Sequence, residues 1–98
     1  MKKVIKLFPA VGEFAENKDV ARDIRIKKIE PLLEKDTHVI LDFSGVTSAT
    51  QSFIHALISG LIRKYDVDLF DILLFQNCSS SIQGIIRIVV DYMLERDE

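Results

Sequence analysis

The sequence is organised around residues 37–65, which read THVILDFSGVTSATQSFIHALISGLIRKY. The stretch opens with a nearly continuous apolar run over 39–43, which predicts a strand buried on both faces of a sheet. Residues 44–50 are mostly small, hydroxyl-bearing or glycine, and such residues form turns and cap helices. Apolar residues then recur at helical spacing over 53–62. A strand, a polar turn and a helix therefore follow one another, and in an α/β sheet such a turn lies where functional groups gather.

Length and composition predict a single domain over residues 1–98. Apolar residues make up 48% of the chain and charged residues 29%, as in globular domains that bury a core of their own. The net charge of -2 and the lack of a basic face or RNA-binding motif argue against nucleic acid. No apolar run reaches the roughly 20 residues of a spanning helix, so we expect no membrane span and a cytoplasmic protein. A single cysteine excludes an internal disulfide.

The pattern as a whole predicts a small α/β domain: a mixed sheet of three to four strands with three helices, built around a central parallel βαβ unit. Residues 4–8 are typical of a strand near a sheet edge, which Pro9 must end. Residues 12–15 could form a second short strand that returns as a hairpin. A helix is then predicted from an N-cap at Asn17, with a kink or a stop near Pro31.

The second half of the chain completes this pattern. Residues 72–75 predict a third strand, and two strands joined by one helix form a parallel βαβ unit. Apolar residues over 82–93 fall at i, i+3, i+4, i+7, i+8 and i+11, which predicts a final helix capped by one of the serines at 79–81. The charged tail over 95–98 is expected to fray.

Motifs for enzymatic chemistry are scarce. The sequence lacks the phosphate-binding, zinc and redox motifs GxxxxGKS/T, GxGxxG, HExxH and CxxC, so we expect neither a cofactor nor a metal. Ser52, His55 and Asp42 could act as nucleophile, base and orienting carboxylate in a small hydrolase or transferase. The spacing of Ser52 and His55 on a helix does not by itself bring the imidazole to the hydroxyl at a bonding angle. The alternative is a surface serine and a partly exposed histidine.

Cys78 has two interpretations. It follows the predicted third strand and precedes a helix, where the helix dipole could lower the pKa of its thiol and make it reactive. A cysteine at such a position can also be a small packing residue.

Four hydroxyl groups lie within six residues at the start of the middle helix, on Thr47, Ser48, Thr50 and Ser52. One N-cap needs only one of them. The surplus allows a phosphoacceptor, because a phosphate at a helix start meets free N–H groups and repels an acidic partner. The helix that follows is unusually apolar, so it is either sandwiched between other elements or meets another protein, and a homodimer remains open.

Residues 4–94 resemble the STAS domain, whose best-known members are bacterial anti-sigma factor antagonists. The specific part of the resemblance is the strand and loop over 39–46, followed by TQSF at 50–53 and the apolar helix. STAS antagonists carry Asp-Ser-Ser-Gly at that helix start, and the second serine is commonly phosphorylated; Ser52 takes its position here. The sequence is more similar still to a divergent STAS-like family of uncharacterised bacterial proteins, which keep a Ser-Phe pair after the strand.

The resemblance implies a small switch domain without catalysis of its own. STAS antagonists dock the serine-bearing turn and helix against a histidine-kinase-like (GHKL) ATPase, the anti-sigma factor, which phosphorylates and releases them. We therefore expect Ser52 to be the phosphoacceptor. The resemblance implies a partner surface around it, formed by Ser48, Thr50, Gln51, Phe53 and His55. Other branches of the family leave a nucleotide-binding STAS module as an alternative.

Overall fold

A three-stranded parallel sheet forms the centre of the fold, which the computed structural model describes for residues 1–95. In chain order the elements are β1 (Lys2–Lys6), α1 (Phe8–Val11), β2 (Phe14–Ala15), α2 (Lys18–Ile24), a π-helical segment (Arg25–Ile29), α3 (Glu30–Glu34), β3 (His38–Asp42), β4 (Ser48–Ala49), α4 (Gln51–Tyr65), a 3₁₀ turn (Asp66–Asp68), α5 (Leu69–Ile72), β5 (Leu73–Gln76) and α6 (Ser80–Leu94). The strand order is β1-β3-β5. Except for Glu95, the tail whose fraying the sequence predicts lies outside the described residues.

The sheet is well covered on one face only. The register places Ile5 beside Leu41, and both are buried in the core. On the opposite face Val4, Ile40 and Leu74 lie side by side, and Val4 and Leu74 are each 47% exposed. The run predicted to be buried on both faces is therefore only partly covered on one of them. The sheet is also purely parallel, which corrects the predicted mixed sheet, because helical crossovers return the chain to the same end before each new strand.

The N-terminal segment differs from its prediction in two ways. Strand β1 lies at the sheet edge as expected, but it ends at Lys6, two residues earlier than predicted. Pro9 lies in the first turn of α1, where a missing N–H group is tolerated. The predicted hairpin is wrong, because β2 pairs in parallel with β4 and not with β1. Alternation over four residues cannot reveal pairing with a strand so much later in the chain.

The long helical region after β2 changes to a wider winding just before Pro31, where the sequence predicts a kink or a stop. Asn17 caps α2 by accepting the N–H group of Asp19 at 2.9 Å. Between α2 and α3 the chain widens into the π-helical segment, in which the N–H group of Glu30 reaches the carbonyl of Arg25. A proline cannot donate the regular i→i-4 bond and crowds the preceding turn, so the wider turn lets the helix continue past it.

Helix α4 is sandwiched within the chain. It packs against both α2 and α6. Both of its apolar rows are buried, namely Phe53, Ile54, Leu57, Ile58, Leu61 and Ile62. The apolar excess of this helix is thus accounted for by the core, and it no longer supports a homodimer.

The C-terminal part confirms its main predictions. The third strand, predicted over 72–75, is observed as β5, and β3, α4 and β5 form the parallel βαβ unit. Helix α6 is capped by Ser79, whose Oγ accepts the N–H group of Ile82 at 3.2 Å. Among residues 1–95, no helix combines the length and apolarity needed to cross a membrane.

Candidate functional site

The start of α4 is positioned by the small sheet of β2 and β4. The two strands pair in parallel, and the N–H group of Thr50 donates to the carbonyl of Ala15 at 2.9 Å. Both strands lead directly into helices, α2 after Asn17 and α4 after Thr50. The pairing therefore sets the two helix starts side by side, so that Lys18, the first residue of α2, and Ser52 line the same cavity.

The loop between β3 and β4 requires glycine at position 45. Gly45 has a φ of 89°, in the left-handed region that disfavours other residues. A Cβ atom there would also lie 2.8 Å from the ring of Phe8, which packs over the loop. The N–H group of Val46 then donates to the carbonyl of Phe43 at 2.8 Å, which closes a tight turn. The backbone that leads to α4 is thus held by local geometry.

The hydroxyl groups of this corner have different partners. Thr50 is the N-cap, since its Oγ1 accepts the N–H group of Phe53 at 3.1 Å. Thr47 Oγ1 donates to the carbonyl of Glu13 at 3.1 Å. Ser52 is exposed, and its hydroxyl makes no hydrogen bond within residues 1–95. Capping therefore uses Thr50 and leaves the hydroxyl of Ser52 accessible.

An open cavity of about 540 Å³ lies beside Ser52. Gln51, Ser52 and His55 line it from α4, and Lys18 lines it from α2. Lys18 and Gln51 are exposed, while His55 is half-buried. Within the described part of the chain Lys18 forms no ion pair. Its ammonium group is therefore available to an anionic group at Ser52.

The structure divides the predicted partner surface. Gln51 is exposed, and Ser48, Thr50 and His55 are half-buried. Phe53, by contrast, is completely buried in the core. Its prediction as a partner contact is wrong, because the third residue after the N-cap faces inward against the rest of the fold.

The alternative set of serine, histidine and carboxylate is only partly brought together. Ser52 and His55 line the same cavity, but within residues 1–95 no hydrogen bond joins them. Asp42 does not line that cavity. Its Oδ1 accepts hydrogen bonds from the Asn77 amide and the Ser44 N–H group, each at 2.9 Å, and these bonds lower the pKa of Asp42. Asp42 thus joins the ends of β3 and β5 and does not orient the imidazole.

The thiol of Cys78 is not activated by its surroundings. Cys78 is half-buried and packs against the core. Burial, together with the negative charge of Asp42, raises the pKa of the thiol. Of the two interpretations, the reactive one is therefore not supported, because both effects disfavour the thiolate. The structure favours the packing interpretation.

Sequence reasoning missed two residues of this region. Lys18 lines the cavity beside Ser52 only because β2 pairs in parallel with β4, whereas the sequence predicts a hairpin of this segment with β1. Asn77 has a φ of 60°, a conformation that asparagine tolerates, and its side chain bridges to Asp42. The available signal was that polar residues following neighbouring parallel strands lie at one edge of the sheet.

Fold and site together define a small α/β domain with an exposed serine at the start of its central helix. A family model described as a STAS-like domain of unknown function (DUF4325) matches residues 20–83, which span the parallel βαβ unit and Ser52. The chain belongs to this STAS-like domain family, which confirms the resemblance seen in the sequence. No curated protein and no solved structure matches the chain.

Proposed function

We propose that this protein is a regulatory protein-interaction module, switched by phosphorylation of Ser52. The proposed partner is a histidine-kinase-like (GHKL) ATPase, as in the anti-sigma factor antagonists that the sequence resembles. In this proposal the domain supplies a surface and an acceptor hydroxyl, and it catalyses no step itself.

The observation that carries the proposal is the exposed hydroxyl of Ser52, which makes no hydrogen bond within residues 1–95. Thr50 already caps α4, so modification of Ser52 leaves the cap intact. Ser52 is the second residue of α4, where backbone N–H groups have no partner within the helix and the dipole favours negative charge. A phosphate on Ser52 would therefore be well accommodated.

The docking surface that we propose consists of Lys18, Gln51, Ser52 and His55, here called the α4 corner. Before modification, its only permanently charged group is the ammonium of Lys18. A phosphate adds about two negative charges at neutral pH and reverses the sign of the surface. An acidic partner surface is attracted to the unmodified corner and repelled by the phosphorylated one.

The proposed transfer step uses ATP held by the partner. Ser52 Oγ forms a bond to the γ-phosphorus while the bond from that phosphorus to the β–γ bridging oxygen breaks. ADP leaves, and the proton of the hydroxyl passes to a base of the partner. The acceptor is already exposed, so the core residue Phe53 beside it stays buried during the step.

Affinity measurements with a purified GHKL ATPase of the same organism test the docking surface. Ser52→Glu places a negative charge in the α4 corner, and Ser81→Glu places one at the matched position of α6, two residues after its N-cap. Both serines are exposed, so neither substitution removes a core contact. We expect Ser52→Glu to raise the Kd by at least about tenfold, a loss of about 1.4 kcal/mol. Ser81→Glu should change it less than about twofold.

Two results would contradict the proposed surface. One is a wild-type protein that does not bind the ATPase. The other is a pair of variants that weaken binding equally, because the α4 corner would then have no special role. Lys18→Glu, which reverses the charge of the corner without touching α4, should weaken binding in the same direction as Ser52→Glu.

A further inference from the structure

A second cavity, of about 410 Å³, lies beside β1, and no residue of the neighbouring strand β3 lines it. Four consecutive residues of the strand, 3–6, line one side. The π-helical segment and α3 line the other side, through Lys27, Lys28, Pro31 and Leu32. We call this cavity the β1 groove. It shares no residue with the α4 corner.

The edge of β1 presents backbone groups that are available for pairing. The strand lies at one end of the sheet order and pairs only with β3. The Met1 carbonyl and the Leu7 N–H group both bond to the β3 segment, at 2.8 and 3.1 Å. Successive residues of a strand turn their backbone groups to opposite sides, so the groups of Lys2, Val4 and Lys6 point away from β3. An extended segment placed in the groove could pair with them.

The groove is strongly basic, which corrects the expectation from the sequence that the domain has no basic face. Its four lysines are Lys3, Lys6, Lys27 and Lys28. All four are exposed, and within residues 1–95 none of them forms an ion pair. The groove is therefore positively charged although the chain as a whole carries a net charge of -2. Pro31 and Leu32 add half-buried apolar surface between the charges.

The helical wall of the groove is fixed to the rest of the fold. Arg25, at the start of the π-helical segment, donates from Nε to the carbonyl of Ala56 in α4 at 3.2 Å. Its Nη1 also pairs with Glu30 at 2.7 Å, across the segment that carries the two groove lysines. Helical segments of this kind are frequent at functional sites. The lysines of this wall therefore project from an anchored backbone.

We propose that the β1 groove binds an extended, acidic peptide segment of a partner protein, which adds a strand to the free edge of β1 and places its carboxylates against the four lysines. This mode of recognition takes affinity from main-chain hydrogen bonds and specificity from side chains. A second copy of this chain is disfavoured as the occupant, because edge lysines of two copies would repel each other. A nucleic acid is also disfavoured, because its phosphates could contact the lysines but it has no peptide backbone to form main-chain hydrogen bonds with the edge of β1.

Binding of a fluorescent peptide of alternating glutamate and valine, measured by anisotropy, tests the proposal. Lys27→Glu/Lys28→Glu reverses two charges of the groove, and we expect it to weaken binding by at least about tenfold. The matched control, Arg63→Glu/Arg87→Glu, makes the same change of net charge at exposed sites on α4 and α6. It should weaken binding less than about threefold, through long-range electrostatics alone.

A second variant tests the strand edge separately from charge. Val4→Pro removes an N–H group that points away from β3, and proline is tolerated on edge strands in that orientation. We expect it to weaken peptide binding by at least about tenfold while the circular dichroism spectrum is kept. If this variant fails to fold, a peptide with N-methylated backbone amides makes the same test on the wild-type protein.

Three results would overturn the proposal. The first is a peptide with lysine in place of glutamate that binds as tightly as the acidic one. The second is single-stranded oligothymidylate that binds the groove while the acidic peptide does not. The third is acidic-peptide binding that is unchanged both by the lysine reversals and by blocking the strand edge.

Discussion

Helices α4 and α6 begin in the same way but meet different surroundings. Each has a hydroxyl N-cap, Thr50 in α4 and Ser79 in α6. Each has an exposed serine two residues after the cap, Ser52 and Ser81. The local sequence chemistry of the two helix starts is therefore nearly identical.

The difference lies in what other elements bring to each start. At α4, the paired strands β2 and β4 place Lys18 in the lining of the same open cavity as the accessible Ser52. At α6, the loop before β4 places the carbonyl of Thr47 beside the cap, and Ser79 Oγ donates a hydrogen bond to it at 2.9 Å. A hydroxyl-rich helix start thus becomes a candidate switch through its neighbours and not through its own sequence.

The largest effect is expected from the buried residue three positions after each cap. Phe53→Ala should lower the free energy of unfolding by about 3–5 kcal/mol and Ile82→Ala by about 2–5 kcal/mol, because both side chains are completely buried. Urea denaturation of both variants measures the two losses. A loss below about 1 kcal/mol for Phe53→Ala would contradict the packing of this side chain in the core and would reopen its prediction as a partner contact.

A second substitution tests the loop that leads to α4. Gly45→Ala should lower the free energy of unfolding by about 1–3 kcal/mol, because it adds backbone strain and a clash with the ring of Phe8. Gly84→Ala in α6 is the control, since nothing lies within 4 Å of its Cβ position. Alanine in that helix should be neutral or stabilising. Equal thermal stability of the two variants would show that the loop is not held as described.

The two caps themselves should differ slightly. Thr50→Ala should destabilise the domain by about 1 kcal/mol, as is typical of a lost N-cap. Ser79→Ala should destabilise it somewhat more, because its hydroxyl also donates to the carbonyl of Thr47. Chemical denaturation of the two variants side by side makes the comparison. The reverse order would mean that the bond from Ser79 to Thr47 adds nothing to stability.

The smallest loss of stability is expected from removing the amide of Asn77, just before α6. This loss should depend on pH, which distinguishes it from the others. Asn77 is exposed, so in a variant without the amide a water molecule can replace much of the hydrogen bond to Asp42. Its hydrogen bond lowers the pKa of Asp42 in the folded protein, so the stabilisation is present above the ordinary carboxyl pKa. This stabilisation is lost as the pH falls through the lowered pKa of Asp42 in the folded protein.

Asn77→Gly keeps the left-handed backbone of this residue and removes the amide. Its loss in unfolding free energy should therefore be larger at neutral pH than at a pH well below the ordinary carboxyl pKa, where Asp42 is protonated. Urea denaturation of wild type and variant across that range measures the difference. A loss that does not vary with pH would remove Asp42 as the acceptor that matters.

The sequence predicts those parts of the fold that rest on strong local patterns. The apolar run before Asp42, the helix starting at Gln51 and the final helix all appear close to their predicted positions. Each rests on periodicity and on capping residues, which act over a few neighbours. The edge position of β1 was also predictable, from Pro9 beyond its end.

The parts that failed depend on contacts between distant segments. The pairing of β2 with β4 involves two residues on each strand, too few for alternation to specify a partner. The inward orientation of Phe53 follows from its packing in the core, which no local pattern reveals. The same holds for Lys18, whose place beside Ser52 exists only in the folded chain.

The central claim is that Ser52, and not its counterpart on α6, accepts a phosphate. The most direct test is intact mass spectrometry of wild type, Ser52→Ala and Ser81→Ala after incubation with the purified GHKL ATPase and Mg-ATP. We predict that wild type and Ser81→Ala each gain one phosphate and that Ser52→Ala gains none. Equal phosphorylation of Ser52→Ala, or no phosphate on the wild-type protein, would contradict the account.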